Sequence, residues 1–225
     1  MKHNSHDPGD IIAASLTLMG EKNVAMVSSF GAESVVLLHL VAQQSKDVPV
    51  FFIDTGKHFS ETLAYRKRLI DVLGLNDTRV LSPVPAKINE KDPQSDLHKI
   101  DPDACCKVRK IDPLREVRGQ FDAWFTGRKR YQAETRAKLP IFEFEDKGAK
   151  INPLVNMTNE AVLDYIAKHD LPRHPLTYVG YPSIGCEPCT SPASEDDQRA
   201  GRWRGVNKTE CGIHLSNTHS ETMCK

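Results

Sequence analysis

Residues 24–34, VAMVSSFGAES, decide the fold of this chain. The apolar run predicts a buried strand, and the small residues after it predict a turn that opens the apolar-periodic helix SVVLLHLVAQQ at 34–44. Backbone N–H groups in such a turn can face an anion, and the helix N-terminus adds partial positive charge. The turn is not a Walker A loop, because no Gly-Lys-Ser/Thr closes it. Taken alone, the loop fits an anion site and an ordinary strand-to-helix turn equally well.

The alternation of strand and helix continues along the first half of the chain. The sequences VPVFFIDTG (48–56), TRVLS (78–82) and DAWFTG (122–127) predict further strands. The sequences at 10–20 and 59–74 predict helices that end at Gly20 and Gly74, and Ser60 is the expected N-cap of the second helix. We therefore predict an α/β protein with a parallel sheet and helices on both faces.

Three polar loops follow these predicted strands, namely SSFGAES (28–34), DTG (54–56) and TGRKRYQ (126–132). Ligands of parallel sheets bind beyond the carboxyl ends of the strands, so we expect the three loops to converge on one crevice. A run such as GRKR is more often a solvated surface. Arginine forks nevertheless suit sulfate and phosphate oxygens, and a second basic patch, RAGRWR (199–204), precedes Cys211. Together the loops favour a small anionic ligand.

The pattern changes after residue 140. The stretch 141–155 predicts a hairpin around Lys147 and Gly148, and 158–170 predicts a helix capped by Thr158. From Leu171 onward Pro, Gly, Ser and charged residues dominate, so this part is expected to be rich in loops. We predict one α/β domain over 1–205 and a mobile C-terminal tail over 206–225 that carries Cys211.

Composition limits the classes of function. The chain has 225 residues with 30 Lys and Arg against 30 Asp and Glu, so its formal net charge is zero. A general nucleic-acid binder would show a basic excess, and a membrane span would need about 18 consecutive apolar residues. The first ten residues have no apolar signal core. We therefore expect a cytoplasmic protein that binds neither nucleic acid nor membrane.

Six cysteines call for an explanation in that compartment, because cytosolic thiols are mostly kept reduced. Cys105 and Cys106 are adjacent, and Cys186 and Cys189 form a C-x-x-C pair. Four thiolates in two pairs make a complete Cys₄ set, which suits a structural zinc or an iron–sulfur cluster. Two adjacent cysteines can bind one centre only in a helical or kinked segment, and DPDACCKVRKIDPL (101–114) can supply a helix. Spacing alone leaves zinc and iron–sulfur nearly tied.

Considered together, the motifs SSFGAES, IDTGKHFSET, CCKVRK, WFTGRKRYQAETR, GCEPCT, RAGRW and KTECGIH resemble the adenylyl-sulfate reductases of assimilatory sulfate reduction. The resemblance runs from about residue 24 to residue 214. It implies an adenine nucleotide α-hydrolase-like fold whose modified P-loop is the stretch 28–34. It also implies that the four paired cysteines, Cys105, Cys106, Cys186 and Cys189, bind a [4Fe–4S] cluster.

The resemblance assigns roles to further residues. Cys211 matches the catalytic cysteine, and Lys110 matches a lysine near both cluster and substrate. The chain has Lys129 where the family often has a second arginine, and Cys224 has no counterpart. From the loops and the matched motifs we expect the substrate to contact Ser28, Ser29, Gly31, Glu33, Asp54, Thr55, Gly56, Lys110, Arg130, Gln132, Arg136, Arg199 and Arg202.

The implied activity is the thioredoxin-dependent reduction of adenosine 5′-phosphosulfate to sulfite and AMP, in sulfate assimilation and cysteine biosynthesis. Cys211 would attack the sulfonate sulfur, and thioredoxin or a glutaredoxin-like dithiol would then discharge the thiosulfonate. Two alternatives are an ATP-dependent iron–sulfur tRNA thiolase and a zinc-stabilised nucleic-acid-binding module. The first expects a Ser-Gly-Gly-x-Asp-Ser loop that this chain lacks, and the zero net charge disfavours the second. Homo-oligomerisation, acceptance of a 3′-phosphorylated substrate and the physiological reductant stay open.

Overall fold

The computed structural model describes residues 7–145, 148–194 and 199–214. Its centre is a six-stranded sheet in the order β3-β2-β1-β4-β6-β5. All neighbouring strands are parallel except β5 and β6, which form the predicted antiparallel hairpin. The strands are β1 (Val24–Val27), β2 (Val50–Ile53), β3 (Thr78–Leu81), β4 (Ala123–Phe125), β5 (Phe142–Glu145) and β6 (Gly148–Ile151).

Eight α-helices precede, connect or follow the strands in the described part of the chain, together with short 3₁₀ segments. They are α1 (Pro8–Met19), α2 (Ser34–Gln44), α3 (Ser60–Leu73), α4 (Pro85–Lys91), α5 (Leu97–Ile100), α6 (Pro102–Cys106), α7 (Asp112–Arg118) and α8 (Asn159–Lys168). A single π-helical turn, Lys107–Ile111, joins α6 to α7. No helix among the described residues is long and apolar enough to cross a bilayer.

The sheet is covered on both faces, as predicted. Alternate strand residues point to opposite sides, so Met26 and Phe52 pack with α1, α2, α3 and α8 in the larger cluster. Phe51 and Trp124 face the other way and pack with Leu114 of α7 in a smaller cluster. From β1 the sheet extends through β2 to β3 on one side and through β4 on the other. The order of the strands therefore reverses at β1, and the loops after β1 and β4 border a crevice at this switch point.

The predicted end of α3 at Gly74 and the predicted cap of α8 at Thr158 are confirmed, whereas the predicted cap of α3 is wrong. Gly74 ends α3 in a left-handed conformation, and Thr158 caps α8 by accepting a hydrogen bond from the N–H of Ala161. Ser60 is not an N-cap. It is the first helical residue after Phe59, and its hydroxyl donates to the Glu61 carboxylate next to it.

Candidate active site

A cleft of about 220 Å³ opens at the switch point of the sheet. The loop after β1, the loop after β4, the segment around 182–185 and the C-terminal stretch 199–214 all contribute to its walls. Of the residues expected from the sequence, the cleft is lined by Ser28, Ser29, Gly31, Glu33, Lys110, Gln132, Arg136, Arg199, Arg202 and Cys211. The tertiary structure thus gathers residues that are far apart in the chain.

The loop after β1 is held in an unusual shape. Phe30 adopts a left-handed backbone (φ 48°) that a bulky side chain rarely takes, and its ring is fully buried. Its N–H donates to the Ser28 hydroxyl at 3.2 Å, and the N–H of Gly31 donates to the Ser34 hydroxyl at 2.9 Å. These bonds fix the turn that leads into α2. Such strain is maintained only where the surrounding structure enforces it, and it clusters at functional sites.

Glu33 connects this loop to the basic loop after β4. Its carboxylate accepts from Lys129 Nζ at 2.7 Å, from the Tyr131 hydroxyl at 2.7 Å and from Gln132 Nε2 at 2.8 Å. Burial by itself would raise the pKa of Glu33, but the Lys129 ammonium and these hydrogen bonds outweigh it and lower the pKa. Glu33 is therefore a paired carboxylate, and Lys129 serves as its counter-ion.

Two cations in the cleft have features of an anion site. Arg202 lies over the Trp203 ring at 4.4 Å, and its buried Nε has no hydrogen-bond partner among the described residues. A buried donor left unsatisfied is costly, so this nitrogen suits an anionic ligand. Burial disfavours the charge of Lys110, but its electrostatic interactions with the neighbouring side chains of Cys186, Cys211 and Cys106 outweigh burial and raise its pKa.

Four of the expected substrate contacts lie outside the cleft lining. Arg130 Nε donates to the carbonyl of Leu139 at 3.0 Å and Nη1 to the Asn156 side chain at 2.7 Å, so Arg130 braces its own loop instead. Thr55 is fully buried with its hydroxyl 3.3 Å from Cys186 Sγ. The turn formed by Asp54, Thr55 and Gly56 therefore borders the cysteines, because β2 lies on the far side of β1 from β4.

Sequence reasoning did not select several residues that line the cleft. Arg128 belongs to the same basic run as Arg130, and only the direction of the chain after β4 decides which of the two faces inward. Gly185 permits the approach of Arg202, because a Cβ there would collide with the guanidinium. The position of Gly185 directly before the C-x-x-C pair is the sequence feature that could have marked it as a residue of the site. Other residues that line the cleft and were not predicted include His58, Lys129, Ser183 and Ile184.

Cys211 borders the cleft, in a stretch that is docked onto the domain. Glu210 pairs with Arg136 on one side, and the carbonyl of His214 accepts from Lys150 Nζ at 2.6 Å on the other. Burial, together with Arg128 and neighbouring cations, lowers the pKa of His214 well below its ordinary value, so its imidazole is neutral at neutral pH. Cys224 lies outside the described residues, and the mobility expected of the tail stays a prediction.

The paired cysteines meet in a second, narrow cavity next to the cleft. Cys105 and Cys106 sit at the end of α6, whose N-terminus is capped by the Asp101 carboxylate. Cys186 is the N-cap and Cys189 the last residue of a single 3₁₀ turn. All four line the cavity together with Lys110, Trp203 and His98. In the described part of the chain none of these cysteines forms a disulfide.

This cavity fits a sulfur-rich anionic group. Trp203 Nε1 and His98 Nδ1 are buried and lack hydrogen-bond partners within the described ranges, so they are available to such a group. Among the described residues no three or more His, Cys, Asp or Glu side chains form a group that could hold a metal ion, so the metal centre expected of these cysteines stays a prediction.

Comparison with known proteins agrees with this geometry. A family model described as "Phosphoadenosine phosphosulfate reductase domain" matches residues 23–192. The adenosine 5′-phosphosulfate reductase of Mesorhizobium japonicum is 50% identical over 210 residues, which are 93% of this chain and 83% of that relative.

Two solved structures share the fold. The phosphoadenylyl-sulfate reductase of Candida auris, in a phosphate complex, superimposes with a TM-score of 0.69 at 25% identity and covers 83% of this chain and 90% of its own. The Candida glabrata FMN adenylyltransferase (TM-score 0.60, 14% identity, 82% and 61% covered) shows the same adenine nucleotide α-hydrolase-like architecture. The fold predicted from the sequence is thereby confirmed, and the chain belongs to the phosphoadenosine phosphosulfate reductase family.

Proposed function

We propose that this protein reduces adenosine 5′-phosphosulfate to sulfite and AMP, as a step of sulfate assimilation that supplies cysteine biosynthesis. One observation carries the proposal. The thiol of Cys211 borders the same cleft as the strained P-loop-like turn and the cations Lys110, Arg136 and Arg202. The name of the 50%-identical relative from Mesorhizobium japonicum supports the nucleotide without a 3′-phosphate as substrate.

In the first half-reaction the Cys211 thiolate attacks the sulfonate sulfur. An S–S bond forms, the S–O bond to the phosphate breaks, and AMP leaves with the electron pair. Lys110 and Arg202 stabilise the negative charge on the sulfonate and on the departing phosphate oxygens. The turn at 28–34 and the N-terminus of α2 bind the nucleotide end. The product is a thiosulfonate on Cys211.

In the second half-reaction a dithiol reductant such as thioredoxin completes the two-electron reduction. Its first thiolate attacks Cys211 Sγ, sulfite leaves with the electron pair of the S–S bond, and a mixed disulfide forms. Its second thiol then resolves the disulfide and restores Cys211. Because the reductant is a protein, Cys211 must leave the cleft between the two half-reactions.

We further propose that Cys105, Cys106, Cys186 and Cys189 hold a [4Fe–4S] cluster, which when bound supplies a charged centre beside the substrate anion. The residues of the chain support this assignment. Burial raises the pKa of Cys106 to about 12 and also raises those of Cys105 and Cys189, so the free thiols are neutral at pH 7 and need a metal to ionise them. Lys110 lies between this cavity and the cleft and lines both.

The test of the catalytic step uses enzyme and adenosine 5′-phosphosulfate without reductant. At most one AMP per active site should be released, and the peptide with Cys211 should gain the mass of a sulfonate. Reduced thioredoxin should then release sulfite. Cys211→Ser should lose both steps and keep its metal, while Cys224→Ser should retain them. Sulfite release by Cys211→Ser, or an adduct on another cysteine, would overturn the mechanism.

Metal content provides a separate test. Protein purified without oxygen should be brown and contain about four iron and four inorganic sulfide per chain, as four Cys ligands require for this cluster type. Cys106→Ser should lose iron, whereas Cys211→Ser should keep it. A colourless protein with one zinc per chain would disprove the cluster and leave the thiol chemistry of Cys211 to be judged by its own experiment.

A further inference from the structure

An ion pair joins the residue next to Cys211 to the wall of the cleft. Glu210 Oε1 accepts from Arg136 Nε at 2.6 Å, and Oε2 accepts from Arg136 Nη2 at 2.7 Å. The two parallel bonds form the bidentate geometry that is strongest between arginine and carboxylate. Three-quarters or more of each side chain is shielded from solvent, at 11% and 25% exposure. Because the pair is partly buried, salt screens its attraction less than it screens an ion pair on the open surface.

Arg136 is in turn connected to the nucleotide loop. The side-chain amide oxygen of Gln132 (Oε1) accepts from Arg136 Nη1, and the Nε2 of the same amide donates to Glu33. A continuous series of polar contacts thus runs from the turn after β1 to the residue that precedes Cys211. Arg199 adds to the docking, because its Nη2 donates to the carbonyl of Thr209 at 2.6 Å.

The charge state of Glu210 agrees with this role. Burial would raise the pKa of Glu210, but hydrogen bonds from Arg136 and the charges of Arg136 and Arg199 outweigh it and lower the pKa. Glu210 is therefore a carboxylate at neutral pH. From this geometry we propose that Glu210 is the positioning residue that docks Cys211 at the cleft, through a pair with Arg136 that must open before the tail can leave.

The need for departure rests on the proposed function, since only the reductant step requires it. The docking itself is tested without substrate. The Lys208 side chain is 5% exposed, so trypsin can cut between Lys208 and Thr209 only when this segment opens. Glu210→Gln keeps the size of the side chain and removes its charge. It should speed this cleavage, followed by intact mass, roughly three- to tenfold, as expected for one partly exposed charged pair.

Alkylation of Cys211 by iodoacetamide provides a second readout. The reaction should accelerate in Glu210→Gln to a similar extent, and added salt should accelerate it in the native protein more than in the variant. Because the substitution also removes a charge next to the thiol that is alkylated, trypsin cleavage is the deciding measurement. Glu210→Asp keeps the charge and should be cleaved more slowly than Glu210→Gln. Glu134→Gln, an exposed residue of the same loop as Arg136, is the matched control and should behave as native.

Cleavage of Glu210→Gln at the native rate, or of Glu210→Asp at the rate of Glu210→Gln, would overturn the proposal. Unchanged thermal unfolding and unreactive Cys105, Cys106 and Cys186 in the variant establish that only the tail has opened. Failure of the proposed function would show differently, as absence of a thiosulfonate on Cys211 in the native protein, whatever the cleavage rates are.

Discussion

Arg202 reaches the cleft over the backbone of Gly185, and its buried Nε lacks a partner among the described residues. Arg130 belongs to the other basic loop, but its guanidinium is satisfied by Leu139 and Asn156 outside the cleft lining. The two arginines are therefore expected to differ in their effect on binding. The effect of an arginine on binding therefore depends on whether its side chain points into the cleft, not on its residue type alone.

The first prediction compares three substitutions at this scale. Arg202→Ala should weaken binding of adenosine 5′-phosphosulfate by about 1.5–3 kcal/mol, the cost of losing one charged hydrogen-bonding partner. Gly185→Ala should weaken it as well, because the added Cβ displaces the Arg202 guanidinium. Arg130→Ala should bind nearly as well as native protein. Equilibrium binding with a substrate analogue measures all three.

The control for Gly185 is Gly119→Ala, where no atom lies within 4 Å of the added Cβ and the φ angle suits any residue. Native-like binding by both glycine variants would contradict the assigned position of Arg202. A loss in Arg130→Ala as large as in Arg202→Ala would show that the loop after β4 rearranges around the substrate.

At the scale of elements, the short 3₁₀ helix Pro175–Val179 begins at a buried histidine. His174 Nδ1 accepts from the N–H of Leu176 at 3.2 Å, and Nε2 lies 3.0 Å from the Thr62 hydroxyl of α3. This arrangement requires a neutral ring. Burial lowers the pKa of His174 from 6.5 to about 4.

The second prediction follows from that shift. The unfolded chain binds a proton at His174 near pH 6.5 and the folded chain only near pH 4, so the free energy of unfolding decreases as the pH falls through this window. His174→Asn retains a capping oxygen and does not titrate. Its stability deficit relative to native protein, from denaturant unfolding, should therefore shrink between these pH values. Parallel pH curves for the two proteins would show that His174 is not responsible.

At the scale of the whole molecule, charge is balanced in number but not in place. The chain has 30 basic and 30 acidic residues, yet Lys110, Arg136, Arg199 and Arg202 line one cleft. Low-dielectric walls focus such a field on a small anion. The larger cluster of the core, which packs α1, α2, α3 and α8 on one face of the sheet, holds the strands that position these loops.

The third prediction concerns salt. Binding of AMP and of adenosine 5′-phosphosulfate should weaken steadily as sodium chloride rises, because added ions screen the cations of the cleft. Binding of adenosine, which has no charge, should change little. The comparison of the two nucleotides with adenosine, by calorimetry at several salt concentrations, isolates the electrostatic part. Equal salt dependence for all three ligands would contradict an anion site in this cleft.

The sequence by itself determined the class of the fold, and nine of the thirteen residues that it predicted as substrate contacts line the cleft. Apolar runs of strand length that alternate with helical periodicity specify a parallel sheet, because each pattern can bury its apolar side in only one kind of layer. The small-residue turn at 28–34 and the two cysteine pairs are formed by residues adjacent in sequence. They can therefore be predicted from the sequence, because they depend only on local residue types and spacing. For the same reason the ends of α3 and α8 were predictable from Gly74 and Thr158.

Only the tertiary structure decided which loop faces the cleft. The order of strands places β4 beside β1 and β2 on its other side, so the turn 54–56 lies against the cysteines while the loop after β4 lines the cleft. Within GRKR, Arg128 and Lys129 turn inward and Arg130 outward, although the three residues have the same charge. The pairing of Glu210 with Arg136 spans 74 residues. Contacts between distant residues depend on how elements pack, and no local pattern encodes that packing.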